Sequence, residues 1–427
     1  MKNLWVGIIV LGLLMAVEGA YYWNRQTIHP VVVMAQPAVW SMDNAKTEKP
    51  EPAATATATV SATATAPVAA NAYYVSTQGD DSNSGTESSP WKTIQKAANS
   101  VRPGDTVYIK GGIYNERVTL QSSGSENNDI IFSNYPGEGV TIDGSGIDWG
   151  YGWNSLFDLN SKDYIKLIGL RVINSRWAGI GSEPDSNGCE NIMIQNCSTY
   201  NTESSGIVFF TGRNITLDGN SVEQACTGTS NTQECISLAT IATFTITNNH
   251  VFNCSNNISR AGGEGIDVKE GSANGTIYNN IVNDVVKVGI YVDAYSQHEY
   301  NIEVYGNKVY NTNQGIVVAA EHNGFLENVR INNNVVYNCV DWGFAVGGWN
   351  TGYTHAMKDI SFINNTAYNI GQGGIYLNNS EAKNVVVVHN TFGVGKLSSY
   401  VPIYINGENL TETTIDDNVL NRFANRY

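Results

Sequence analysis

The octapeptides GTIYNNIV (Gly275–Val282), IEVYGNKV (Ile302–Val309) and VRINNNVV (Val329–Val336) repeat one design. Each alternates apolar and polar residues, turns at a pair ending in Asn, and resumes the alternation. The design returns in NIMIQNCS, NITLDGNSV, FTITNNHV, ISFINNTA, VVVVHNTF and TTIDDNVL. A ladder Asn is therefore expected at Asn196, Asn220, Asn249, Asn280, Asn307, Asn334, Asn365, Asn390 and Asn418. The spacing runs from 24 residues (Asn196 to Asn220) to 31 (Asn249 to Asn280). A period of roughly 20 to 50 residues marks a solenoid, and the alternation marks strands. Stacked coils put the same position of every repeat above the next, where Asn amides can hydrogen-bond along the axis. Strand alternation with an Asn- and Gly-rich composition excludes helical repeats, and the scarcity of Leu excludes leucine-rich ones. The reading is all-β: a parallel β-helix of about ten coils, with two strand runs in each repeat.

Composition agrees. Charged residues are 15% of the 427, while 42% are hydrophobic, enough for a long core. Net charge is −15, and the 24 basic residues form no cluster. A nucleic-acid binder that tracks phosphates is thereby excluded.

At the N-terminus Lys2 precedes the apolar run Leu4–Val17. That is the pattern of an export signal, shorter than the about 20 residues of a membrane span. Residues 1–20 are read as a signal peptide or an uncleaved anchor attaching the chain to a membrane. Residues 21–72 are a Thr/Ala/Pro-rich linker, and residues 73–427 the β-helix domain. The expected protein is a monomer, secreted or at the cell surface. The six cysteines lack metal spacing. A Cys226–Cys235 bridge, a Cys226–Cys254 bridge and buried thiols are all open readings.

Ahead of the coils, Trp91–Val101 reads as an amphipathic helix within a segment suited to capping the open solenoid. Its run TIQKAANSVRPGDTVYIKGGIYNE (Thr93–Glu116) resembles the N-terminal portion of exported right-handed β-helix proteins of the pectate-lyase-like superfamily. The resemblance covers residues 73–420 at fold level. It implies a right-handed solenoid capped by residues 73–110, and leaves function open because one fold hosts many chemistries. GDDSNSG (Gly79–Gly85) lacks EF-hand spacing and reads as a turn.

Two neighbouring coils, GEGIDVKEG (Gly263–Gly271) and VGIYVDAYSQHEY (Val288–Tyr300), depart from the plain repeat. With Ile266, Ile290 and Ile316 in the core, alternation turns Asp267, Lys269, Tyr291, Asp293 and Tyr295 outward. Lys269 then lies about 4.8 Å above Asp293, and the Cα atoms of Asp267 and Asp293 are about 8 Å apart. The expected site is a solvent-facing groove, with Tyr291 and Tyr295 as floor or wall for sugar rings. His298 and His322 are candidates for its rim, Glu321 stands at the outer edge of the next coil, and Trp342 and Trp349 are candidates for a sugar subsite. An outward lysine contributes little stability, so loss of Lys269 is expected to leave folding intact.

The same coils resemble the active-site coils of bacterial mannuronan C5-epimerases, with their Tyr-Gly-Phe-Asp-Pro-His motif and later Asp. Asp267 falls on the motif Asp and Asp293 on the later one, while Lys269 takes the His position and Glu264 the Tyr position. They also resemble family-nine pectate lyases, which implies Lys269 as the base and Asp267 and Asp293 as Ca²⁺ ligands. Beside two carboxylates, Lys269 becomes a base only if a cation takes up their charge, so Ca²⁺ is the expected cofactor. Three functions follow, all with a polysaccharide or glycan as partner. The first is lyase or epimerase-like chemistry on an acidic polysaccharide. The second is glycoside hydrolysis by Asp267 and Asp293, with Glu321 as a further acid. The third is non-catalytic glycan binding or structure.

Overall fold

A computed structural model describes residues 71–147, 153–184, 187–228, 233–254, 262–347, 355–393, 395–406 and 412–420. The expected export segment and nearly all of the linker lie outside these residues, as does Trp349.

The strands form a parallel β-solenoid of about ten coils. One array stacks 13 strands in a row, from Ala72–Val75 to Thr414–Asp416, and a second gathers 21. Full coils thus carry three strands rather than two. The third was concealed in the sequence for two reasons. In some coils it is only three residues long, as in His250–Phe252 and Val335–Tyr337. In others it fuses with the following strand, as in Ile281–Asp293 and Lys308–Ala319.

Ile207, Ile236, Ile266, Ile290, Ile316, Phe344 and Ile375 align in register down the core and are excluded from solvent. Burying each such side chain stabilises by about 1.5–3 kcal/mol. The residue before each of the last five is Gly, and at two of these the reason is visible. A Cβ on Gly289 would stand 2.3 Å from Val309 Cγ1, and one on Gly315 2.3 Å from Val336 Cγ1. Only glycine lets two strands of the wall meet so closely at this corner.

The ladder runs through Asn220, Asn249, Asn280, Asn307, Asn334, Asn365, Asn390 and Asn418. The backbone N–H and the Nδ2 of each donate to Oδ1 of the next at 2.8–3.0 Å. Asn196 does not take part. Its φ is +52°, and the rung belongs to Cys197, whose N–H donates to Asn220 Oδ1 at 2.9 Å. Asn196 instead shares the left-handed turn also filled by Asn248, Asn279, Asn333 and Asn364, a conformation Asn tolerates better than most residues. The abundance of Asn thus serves two adjacent columns.

The single helix of the described residues, Ile94–Ser100, is shorter than expected. Thr93 caps it, its side chain accepting from Lys96 N–H at 3.1 Å. The Glu116 carboxylate takes the N–H groups of Ile94 and Gln95 at 2.9 and 2.8 Å. Asp81, from the GDDSNSG turn, takes those of Lys92 and Thr93 at 2.9 Å. These acceptors satisfy the donors that open a helix. Trp91 stays outside it, stacked on Tyr73 with ring centroids 4.8 Å apart. All six cysteines are free thiols, Cys226 and Cys235 approaching to 3.9 Å between sulfurs.

Candidate active site

The strand Ile266–Lys269 pairs with Ile281–Asp293 so that Asp267 lies over Tyr291 and Lys269 over Asp293. The register is the one alternation requires, with Ile266, Val268, Ile290 and Val292 in the core. The outward face, however, is covered rather than open. Asp267, Asp293, Tyr291 and Glu264 are only 3%, 5%, 5% and 6% exposed. Partners from neighbouring coils account for much of this cover. Lys269 Nζ donates to Glu234 Oε2 at 2.7 Å and stands 3.7 Å from Asp267 Oδ2. Ser237 donates to the same Glu234 oxygen at 2.7 Å. Tyr291 donates its phenol proton to Glu321 Oε1 at 2.8 Å, and Lys287 lies 4.0 Å from Glu264.

Glu234, Ser237, Lys287 and Glu299 were not anticipated. Glu234 precedes Cys235-Ile236 as Glu264 precedes Gly265-Ile266, and Ile236 pairs with Ile266. The recurrence of Glu, a small residue and Ile one coil apart was a readable signal. Glu299 carried none, because it belongs to the other array and is wholly buried behind the cluster. Among the described residues, neither Glu299 oxygen nor Asp267 Oδ1 has a hydrogen-bond partner of normal geometry, although the Gly271 amide faces Glu299.

Glu234 and Asp267 thus face the Lys269 ammonium and Glu264 faces Lys287, while Asp293 stands near Lys269, Glu321 and Glu299. Burial, reinforced by Glu234, Asp293 and Glu264, holds the Asp267 carboxyl well above the usual carboxylate range, with Lys269 opposing only in part. Burial and the charge of Glu321 do the same to Asp293, and burial pushes Glu299 up. Burial with Glu234 raises Glu264 to about 7. Burial alone would lower Lys269, but Glu234 and Asp267 outweigh it and keep the ammonium protonated above its ordinary range. Burial, Asp293 and Glu321 raise the Tyr291 phenol.

A cleft of about 520 Å³ opens beside this cluster, lined by Pro184, Phe210, Gln233, Thr240, Lys269 and Glu270 among others. Lys269 is the cluster's contribution to its lining. The other candidates fall in several places. Tyr295 sits in the turn after Asp293, its N–H donating to Asp293 Oδ1 at 2.9 Å and its ring tilted against His322 at 4.4 Å. It is therefore not a flat floor. His298 starts a strand of the 13-strand array, stacked on Phe325 and 3.3 Å from Glu327, so it does not join the rim. Trp342 stacks on Tyr376 at 4.8 Å, three coils beyond the Asp267 coil.

Of the two expected Ca²⁺ ligands, Asp267 has the Lys269 ammonium 3.7 Å from its Oδ2, and Asp293 Oδ1 accepts from the Tyr295 N–H. Among the described residues no three Asp, Glu, His or Cys side chains are grouped to hold a metal ion.

The fold has known relatives. The Bacillus subtilis (strain 168) protein YwoF is 28% identical over 397 residues, which cover 83% of this chain and 81% of YwoF. Among solved structures, pectate lyase Pel9A superposes with a TM-score of 0.51 at 16% identity, covering 80% of this chain and 79% of that one. The periplasmic alginate epimerase AlgG gives 0.53 at 12% identity, with 78% and 84% covered. The polygalacturonase of Erwinia carotovora ssp. carotovora gives 0.56 at 16%, with 85% and 100% covered. At such identities these structures speak for the fold alone. Residues 73–396 match the family described as Pel9A-like, right handed beta helix region; the chain belongs to that family.

Proposed function

We propose that the protein is a carbohydrate-active enzyme that cleaves an acidic polysaccharide by β-elimination, with an epimerase-like reaction as its near variant. One observation carries the reading. A lysine held cationic by Glu234 lines the cleft directly above Asp293 and within 3.7 Å of Asp267. The names of the structural neighbours, a pectate lyase, an alginate epimerase and a polygalacturonase, support a glycan substrate.

In this reading Lys269 is not the base. It pairs with the substrate carboxylate and stabilises the charge that develops as the adjacent proton leaves. Asp267 and Asp293 interact, so loss of one proton from the pair leaves one carboxylate beside one protonated carboxyl. The ionised carboxylate takes the proton beside the substrate carboxylate, a carbon–carbon double bond forms, and the bond to the next sugar's oxygen breaks. The protonated carboxyl delivers its proton to that oxygen. No step requires a metal. Hydrolysis is the second reading, favoured by the same pair, one carboxyl protonating the glycosidic oxygen and the other activating water. The enzyme works outside the cytoplasm, a proposal supported by the basic-then-apolar start of the chain and its Thr/Ala/Pro-rich linker.

The test is digestion of polygalacturonate, alginate and neutral xylan with and without chelator. Ultraviolet-absorbing unsaturated ends from a uronate polymer, undiminished by chelator, are expected. New reducing ends without that absorbance indicate hydrolysis, and silence on all three favours a binding protein. Asp293→Asn is expected to reduce turnover at least about 100-fold, measured on whichever polymer is cleaved.

A further inference from the structure

Beyond the cluster, toward the N-terminal coils, the cleft runs into an aromatic group that the proposed chemistry does not use. Trp153 is 40% exposed, whereas Trp177 is 5% exposed. Trp153 meets Trp177 edge-on at 5.5 Å and 67°, and Phe210 at 5.7 Å and 82°. Trp177 and Phe210 stack on each other at 6.1 Å and 18°. Ala178 and Val208 pack with Trp177 and Phe210. The three rings form a fixed platform with one indole facing solvent. Phe210 also lines the cleft shared with Lys269, so platform and acid cluster belong to one surface. The strand Ile207–Phe209, which ends next to Phe210, lies two strand steps from the Lys269 strand, or about 10 Å.

A polar rim borders the platform. Gly181 pairs with Val208 on one side and Asp158 on the other. Arg117 Nη2 holds Asp158 at 2.7 Å and stands 3.6 Å from Glu183, whose side chain is 44% exposed. Glu183 is joined to Pro184 in the cleft wall. An exposed aromatic face beside fixed charged groups matches a pyranose ring, which offers an apolar C–H face and a rim of hydroxyls. One exposed indole is far too small for a protein interface, which needs on the order of 1,000 Å².

We propose that Trp153, Trp177 and Phe210 form a sugar-stacking subsite that receives a pyranose unit of the glycan remote from the reacting bond. The glycan then lies along the solenoid axis, and recognition reaches several sugars from the chemistry. The inference rests on the cleft being a glycan site, though not on which reaction takes place there.

Calorimetric titration of the full chain tests it, with Asp293→Asn introduced to stop turnover. The probes are the hexasaccharides of galacturonate, mannuronate and xylose. At least one is expected to bind, and Trp153→Ala to weaken it about 2- to 12-fold, the range of an aromatic stacking contact. Trp153→Phe should restore most of the affinity, and the melting temperature should stay unchanged. Unaltered affinity in Trp153→Ala overturns the subsite while leaving the glycan reading intact. Binding of none of the three overturns both. Trp153-dependent binding by a chain that cleaves no polymer sustains the subsite and removes the proposed reaction.

Discussion

Two buried polar arrays run along the same axis and treat their hydrogen bonds in opposite ways. In the Asn ladder each rung from Asn220 to Asn390 passes its protons to the next, so the buried amides are matched. In the acid cluster Glu234 and Asp267 share the Lys269 ammonium, and among the described residues oxygens of Asp267 and Glu299 remain without normal partners. Burying unmatched polar groups is expensive. The ladder is what a solenoid does when selection is for stability alone; the cluster carries a penalty that stability alone would have removed. Coupled carboxyls with displaced protons are the kind of arrangement active sites maintain.

The sharpest way to break the comparison is at Lys269. Lys269→Ala should abolish turnover, at least about 100-fold. Because the ammonium is buried against Glu234, it should also destabilise by about 3–5 kcal/mol, the consequence of stranding a buried charge. This replaces the expectation, drawn from an outward position, that its loss is thermally silent. Urea denaturation separates the two effects, and an unchanged midpoint would show that Glu234 does not depend on Lys269. Asn307→Ala should come next, at about 3 kcal/mol with activity kept while folded, since it strands Asn280 N–H and Ile277 C=O inside the wall.

The pH response sharpens the contrast further. The ladder has no titrating group, whereas Glu264 is raised to about 7 by burial and Glu234. A carboxyl raised in the folded state binds protons more tightly there than when unfolded. Its contribution is complete below about pH 4.5 and lost as pH rises through about 7. Asp267 and Asp293 act in the same direction. Melting temperature should therefore fall across that window, and Glu264→Gln should flatten the fall; a profile identical in both chains refutes the assignment. The smallest effect is at the ladder's first position. Cys197 Sγ sits 3.5 Å from Leu167 C=O, where an amide would donate as Asn220 donates to Ile194 at 2.8 Å. Cys197→Asn should add a rung and stabilise by about 1 kcal/mol, read from the shift in denaturation midpoint.

Much of this was legible in the sequence. The Asn repeat implied the solenoid, and alternation placed Asp267, Lys269 and Asp293 on the outward side of their strands. Alternation reports only which side a residue faces, however, and not what lies over it, so burial of the site was invisible. The ladder was misread by one residue at Asn196 because a left-handed Asn and a ladder Asn are adjacent and look alike. Where Cys197 replaces the ladder residue, the remaining Asn belongs to the turn. Glu299 was beyond reach, since its relation to Asp267 arises from the coil closing on itself.

The ladder also has a direction. Each rung from Asn220 to Asn390 accepts from the coil before it and donates its backbone N–H to the coil after it, so the side-chain amides align head to tail. Aligned amides sum to a dipole, as peptide units do in a helix, here with donors pointing toward the C-terminal coils and a partial positive charge expected there. Asp416 and Asp417 stand immediately before Asn418, the last rung among the described residues: that pole of the ladder is furnished with the sign of charge it favours.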